Sequence, residues 1–263
     1  MFGNRMQTSA IPERVYALCR EIASRPMDES DLKNLLEPQN LGGKTPYFGT
    51  VRTAAEQLQL ITTKENTISL AVDKEVVKSM DNMRRYINTH LESLSEGLFY
   101  RVTQGYLDKG NEVLKYTSVS KMADTMSHML GEKVTEDDMR AWRFWMAFLG
   151  FGYLHDSQAG AAGILLPNVS TFLRDVIDVM AIKKKTEFSI DDFVSKIMPY
   201  AGVALHYAAE TKSFNYAFSN ALRMLNEIGF IKIEHRQDAK EIWSLYQYDG
   251  QDIETITHVT IGG

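Results

Sequence analysis

Three stretches of the chain close in the same way. A helix-patterned run ends in a short apolar knuckle and passes into two strand-like segments. The first runs through residues 55–61 and continues through 62–70. The second runs through 146–154, crosses a tip at 156–163 and returns through 164–166. The third runs through 224–233, crosses 236–240 and returns through 242–246. Gly150 and Gly229 stand at the second and third knuckles, whereas the first has no glycine. The copies recur at roughly 80–90 residues, far too long for a solenoid period, so the pattern points to an array of small units.

A helix that stops at an apolar knuckle and continues as a hairpin is how a winged-helix unit ends. The expected fold is therefore mainly α with small β-hairpins (α+β), with two to three winged-helix domains in tandem. A length of 263 residues accommodates them. Pro12 opens a helix in which Val15, Leu18, Cys19 and Ile22 share a face, and residues 28–36 read as a second helix. A Gly/Pro loop over 38–46 leads to a third helix over 47–59 and a polar-tipped hairpin. Residues 1–11 lack periodicity and read as a loose start. These features predict a winged-helix domain over 1–72, a connecting helix over 73–95, a second, degenerate winged-helix-like domain over 96–168 and a third winged-helix domain over 169–249. The tail over 250–263 alternates like a strand and reads as an added edge strand or a partner-docking strand.

Composition narrows the function. Hydrophobic residues make up 44% of the chain, and no apolar run reaches the ~20 residues that cross a bilayer. The first residues lack the apolar core of a signal peptide, so no membrane partner and a cytoplasmic location are expected. With one cysteine, Cys19, no disulfide or thiolate metal site can form within the chain, and a buried thiol is expected. The net charge of −5 opposes dedicated DNA binding, whose affinity comes largely from neutralised phosphates, and favours protein partners.

No catalytic signature stands out. Phosphate-binding and dinucleotide glycine patterns are missing from the sequence, and Gly160 to Gly163 leads into a strand rather than a helix. The six histidines never fall at the spacing that sets two imidazoles on one zinc. Asp137–Asp138 and Asp191–Asp192 lie in helix first turns, where they offset the macrodipole. No catalytic residue, metal or cofactor is expected.

The DNA-facing candidates are basic and amide side chains near the first and third readings. Around the first recognition helix and wing stand Lys44, Tyr47, Arg52 and Lys64. Around the third, with its helix expected over 212–228, stand Lys212, Asn215, Tyr216, Asn220 and Arg223, of types that suit adenine and guanine edges. Lys183, Lys184 and Lys185 form the densest basic run; it reads first as a solvated loop and second as a phosphate contact. The middle copy has a chargeless wing and a helix rich in Met139, Trp142, Trp145 and Met146, which reads as core.

Several stretches resemble tandem winged-helix proteins of bacterial phage-defence and DNA-processing operons. Residues 11–18, 32–38, 142–145 through 151–152, and 166–168 resemble the G protein of the Dpd deazaguanine DNA-modification cluster. A second resemblance, in architecture and acidic balance, is to the kleisin-interacting tandem winged-helix group of SMC complexes. These resemblances imply a non-enzymatic scaffold or adaptor. Its expected partners are protein subunits of a defence or SMC-like complex, with double-stranded DNA as an auxiliary partner and a homodimer left open. The alternative expectation is a sequence-specific DNA-binding transcriptional regulator.

Overall fold

Local capping and apolar faces account for the first elements. The computed structural model describes residues 2–38, 46–157, 161–247 and 253–262. Pro12 begins α1 (Pro12–Glu21), where its missing N–H costs nothing, and Val15, Leu18 and Cys19 turn inward. After β1 (Met27–Asp28), the Asp28 carboxylate accepts from the Ser30 N–H and caps α2 (Glu29–Leu36). Then come α3 (Phe48–Gln57), β2 (Ile61–Lys64) and β3 (Thr67–Leu70). The three strands form an antiparallel sheet in the order β1-β3-β2. Lys64 pairs with Thr67, and Glu65 and Asn66 between them take φ of 47° and 67°, as a two-residue hairpin turn requires.

The connecting helix is shorter than the 73–95 expected, a stretch in which Val76, Val77, Met80, Met83, Ile87, Leu91 and Leu94 form an apolar stripe. Residues 74–77 form turns, Ser79 caps α4 (Met80–His90), and a 3-10 turn follows at Leu91–Leu94. The stripe is nonetheless internal, because Val77, Met83, Ile87 and Leu91 are all buried.

The middle stretch contains α5 (Leu98–Asp108), α6 (Val119–Leu130) and α7 (Glu136–Leu149), then a hairpin of β4 (Gly152–Ser157) and β5 (Ala161–Pro167). Thr135 and Asp138 close a reciprocal capping box at the start of α7. The hairpin's tip at 158–160, including Gly160 of the chargeless wing, lies outside the described residues.

The last stretch contains α8 (Ser170–Val179), β6 (Glu187–Ser189), α9 (Ile190–Ala201), α10 (Ala208–Thr211) and α11 (Tyr216–Glu227). After them come β7 (Ile231–Glu234), β8 (Trp243–Ser244), β9 (Thr255–Ile256) and β10 (His258–Ile261). The sheet order is β6-β10-β7, so, as in the first sheet, the last strand lies in the centre. This corrects two expectations. The partner of β7 is not the 242–246 segment but β10, with Val259 opposite both Ile233 and Phe188. The supposed tail therefore supplies a central strand. The reason is alternation: Val259 and Ile261 both point into the core, and a strand buried on one face is held in register by that set. Trp243 pairs instead with Ile256, in a small side hairpin.

The three knuckles share one geometry. Gln59, Gly150 and Gly229 take φ of 57°, 80° and 73°. The next residues, Leu60, Phe151 and Phe230, donate their N–H groups to the carbonyls of Ala55, Met146 and Leu225 at 3.0, 2.9 and 2.9 Å. Each helix thus ends in a Schellman-type turn whose following residue is a large hydrophobe. Gln59 accepts the left-handed conformation without being glycine.

The stretches pack into one continuous core. Residues 2–10, expected to be loose, run between the first and middle stretches. Phe2 and Met6 are buried, and the Phe2 ring stands edge-on to Phe99 and Trp145 at 5.0 and 4.9 Å. Two aromatic edges and an apolar pocket outweigh the entropy of ordering so short a segment. Asp175 of α8 forms a second tie. It accepts from Arg84 Nε at 2.7 Å and Asn88 Nδ2 at 2.9 Å, and Asn88 also reaches the Leu149 carbonyl at the end of α7.

Candidate nucleic-acid interface

The first group of candidates divides between structural joints and solvent. Lys44 lies outside the described residues. Tyr47 precedes α3; its hydroxyl donates to the Leu36 carbonyl, and the Arg14 guanidinium lies 4.0 Å over its ring. The Glu37 carboxylate accepts the N–H groups of both Tyr47 and Phe48, so this corner locks α1, α2 and α3 together. Arg52 is paired with Glu29 and lies 3.9 Å from Glu56. Lys64 is exposed at the hairpin turn.

The outward side of α3 is not bare. The Ser9 and Thr50 hydroxyls are 2.7 Å apart, and the Phe2 N–H donates to Gln57 Oε1 at 2.7 Å. The N-terminal segment therefore runs along the helix and leaves a groove of about 540 Å³ floored by Gly49 and Thr53. Arg5 lines this groove with a side chain 58% exposed, 3.6 Å from Asp138.

The third group faces inward. Helix α11 begins at Tyr216 rather than at Lys212, and Asn215 is its cap: it accepts from the Phe218 N–H and donates to the Ala204 carbonyl, each at 2.9 Å. Lys212 Nζ lies 2.9 Å from both oxygens of Asp191 and 5.1 Å over the Trp243 ring. The Asp191 carboxylate raises the Lys212 pKa. Burial pushes the Asp191 pKa up, but hydrogen bonds from Lys212 and Trp243 outweigh it and hold the group below its ordinary value. Tyr216 stands edge-on to Tyr246 with centroids 5.3 Å apart, and Asn220 is half-buried. Arg223 donates to the carbonyls of Tyr246 and Ile253, each at 2.9 Å, and so ties these two residues to α11. The helix packs on α5, on the 3-10 turn at Gly110–Lys115 and on α8.

Lys183, Lys184 and Lys185 are exposed. The Lys185 N–H donates to the Ile261 carbonyl at 2.8 Å, and Ile261 pairs with Ile231. The basic run thus lies where β10 ends and β7 begins.

The aromatic helix of the middle stretch is core, as its composition indicates. Met139, Trp142, Trp145 and Met146 are buried; Trp142 Nε1 donates to Thr103 Oγ1 at 3.0 Å and Trp145 Nε1 to the Ala10 carbonyl at 2.7 Å. Exposed apolar side chains gather instead where β4 meets α11. Tyr153, Met224 and Ile228 are 48%, 37% and 58% exposed, and the Tyr153 hydroxyl lies 3.8 Å from Met224 Sδ.

Sequence reasoning missed Arg5, Arg174 and the Arg84–Asp175 pair, because each acquires its setting from a segment distant in the chain. Among the described residues, no helix is long and apolar enough to cross a membrane, and no cluster of His, Cys, Asp and Glu is arranged to hold a metal ion. Comparison with known family models, curated proteins and solved structures finds no match.

Proposed function

We propose that this chain is a non-enzymatic adaptor built from three winged-helix units, the middle one degenerate. The order helix, helix, helix, hairpin in the first and middle stretches supports the units, as does the central last strand in the three-stranded sheets of the first and last stretches. One observation carries the adaptor reading: the last helix of every unit is engaged within the chain. The N-terminal segment lies along α3, α7 buries most of its side chains, and α11 packs on α8 and α5. A regulator that reads a major groove needs such a helix open, with its side chains at base edges. Arg52 and Arg223, the natural candidates for guanine, are instead held by carboxylates and carbonyls.

The exposed apolar surface of Tyr153, Met224 and Ile228 favours a protein partner. Auxiliary contact with duplex DNA falls to Lys64, the Lys183–Lys185 run and Arg5, whose charges are solvent-facing. The resemblance to phage-defence operon proteins supplies the setting, a DNA-associated bacterial complex. The reading is tested by co-expressing the chain with the product of each neighbouring gene and isolating any stable pair. A stable pair lost on Met224→Asp or Ile228→Asp supports the adaptor. A chain that pairs with none of them and binds one duplex sequence tightly overturns it.

A further inference from the structure

The basic run, to which the adaptor reading assigns only auxiliary duplex contact, and the α8 helix border a pocket. It has a volume of about 360 Å³ and is lined by Arg174, Ile177, Ile182, Lys184, Phe230 and Ile261, among others. Ile177 and Ile261 are buried and Ile182 and Phe230 partly so, which makes an apolar floor. Arg174 is exposed, with its guanidinium 5.1 Å over the Phe230 ring, and Lys184 is exposed beside it on the loop. Asp178 is the one carboxylate among the described lining residues, and it is offset by Arg85 at 3.8 Å.

The loop is held in an unfavourable backbone conformation. Ala181 and Lys185 take φ of 49° and 65°, in the left-handed region that costs an L-residue free energy. Hydrogen bonds fix it there: Ala181 N–H to the Asp178 carbonyl, Lys185 N–H to Ile261 and Thr186 N–H to Lys183. A loop fixed in this way presents Lys184 to the pocket rather than leaving the run as an unstructured solvated stretch.

Two cations at the mouth of a pocket with an apolar floor match a ligand that carries a phosphate on a flat, weakly polar body. We propose that this pocket binds a nucleotide unit, with the phosphate held by Arg174 and Lys184 and the base over Ile177, Ile182 and Ile261. The volume lies at the small end of ligand pockets, as a mononucleotide requires. The unit comes either as a free nucleotide or as one residue of a single strand, since both present the same chemistry.

The test is a titration of the full chain, at low salt, with AMP, with inorganic phosphate and with an oligothymidylate of about twelve nucleotides. AMP or the oligonucleotide, or both, bind saturably, and inorganic phosphate binds at least about tenfold more weakly because it lacks the base. An oligonucleotide that binds more tightly than AMP identifies a strand as the source; AMP binding as tightly as the oligonucleotide, or more tightly, identifies a free nucleotide. Arg174→Ala and Lys184→Ala each weaken binding by roughly tenfold, since each removes a charged donor. Both side chains are exposed, so the fold persists, and circular dichroism verifies it; Lys121→Ala, at an exposed position of α6, changes neither affinity. Absence of saturable binding by both AMP and the oligonucleotide overturns the proposal. So does phosphate binding as tightly as AMP, or variants that bind like the parent chain. The outcome is independent of whether the chain is an adaptor, because no protein partner enters the experiment.

Discussion

Asp175→Asn isolates the charge that ties α4 to α8. The Asp175 side chain is 3% exposed and accepts from Arg84 at 2.7 and 3.2 Å and from Asn88 at 2.9 Å. Its charge raises the Arg84 pKa, first through the hydrogen bond between them. The substitution keeps the shape and removes the charge, leaving Arg84, itself 17% exposed, with only the solvent-facing Asp81. Breaking a buried pair from one side costs about 3–5 kcal/mol. The neutral amide still accepts one hydrogen bond, so the lower end, about 3 kcal/mol, is expected. In a chain of this size that lowers the melting temperature by roughly 6–12 °C. Denaturant and thermal unfolding measure it, and a double-mutant cycle decides the cause. Arg84→Met with Asp175→Leu leaves no uncompensated charge and recovers most of the loss. A cost below about 1 kcal/mol for Asp175→Asn, or a double variant whose loss equals the sum of the two singles, refutes the buried-tie argument.

Other predictions concern the knuckles, α11 and acid. Gly150→Ala adds a Cβ 2.6 Å from Thr171 Cβ and 2.9 Å from the Phe172 nitrogen, at φ +80°; the left-handed penalty and the clash together cost about 3 kcal/mol. Gly229→Ala meets nothing within 4 Å and carries only the backbone penalty of about 1 kcal/mol, so equal melting temperatures for the two variants contradict the packing. Arg223→Ala removes two charged donors from backbone carbonyls and costs about 2 kcal/mol of stability, with auxiliary DNA affinity unchanged. An unchanged melting temperature with lost DNA binding reverses that assignment. Arg236 holds the Glu187 carboxyl below its ordinary value, Lys232 then Arg236 do the same for Glu234, and Asp191 is also lowered. Depressed carboxylates stabilise the fold above their unfolded pKa, and that contribution is lost as pH falls through the folded values. Unfolding midpoints should therefore drop from about pH 5 downward, and less steeply in Arg236→Ala. A midpoint flat across that window contradicts these ion pairs.

The repeated closure was legible because it rests on local chemistry. The apolar residue after each knuckle and the glycines of the second and third copies mark the helix ends directly. Gln59 does the same without a glycine, since the Leu60 N–H bond and the buried Leu60 side chain hold it in place. The α7 core was legible from aromatic density, and the starts of α7 and α9 from the acidic pairs in their first turns. Pairing between distant segments was not. Nothing in 258–261 indicates that it crosses to β6 and β7 rather than leaving 242–246 as the partner, because both segments alternate. The settings of the DNA-facing candidates were hidden for a related reason: Arg223, Lys212 and Asn215 look exposed on a helix wheel, and only the tertiary fold shows the carbonyls and carboxylates that receive them. Phe2 and Met6 were hidden by the short, aperiodic character of their segment.

The central claim, that the last helix of each unit serves the chain's own packing, is tested most directly by equilibrium binding to duplex DNA. Fluorescence anisotropy with several unrelated duplexes, at about 50 and about 200 mM salt, reads both affinity and selectivity. Weak binding is predicted, alike for all sequences, lost at the higher salt and reduced by Lys64→Ala or Lys184→Ala. Tight binding to one duplex in preference to the others, abolished by Arg52→Ala or Arg223→Ala in a folded protein, would contradict the account.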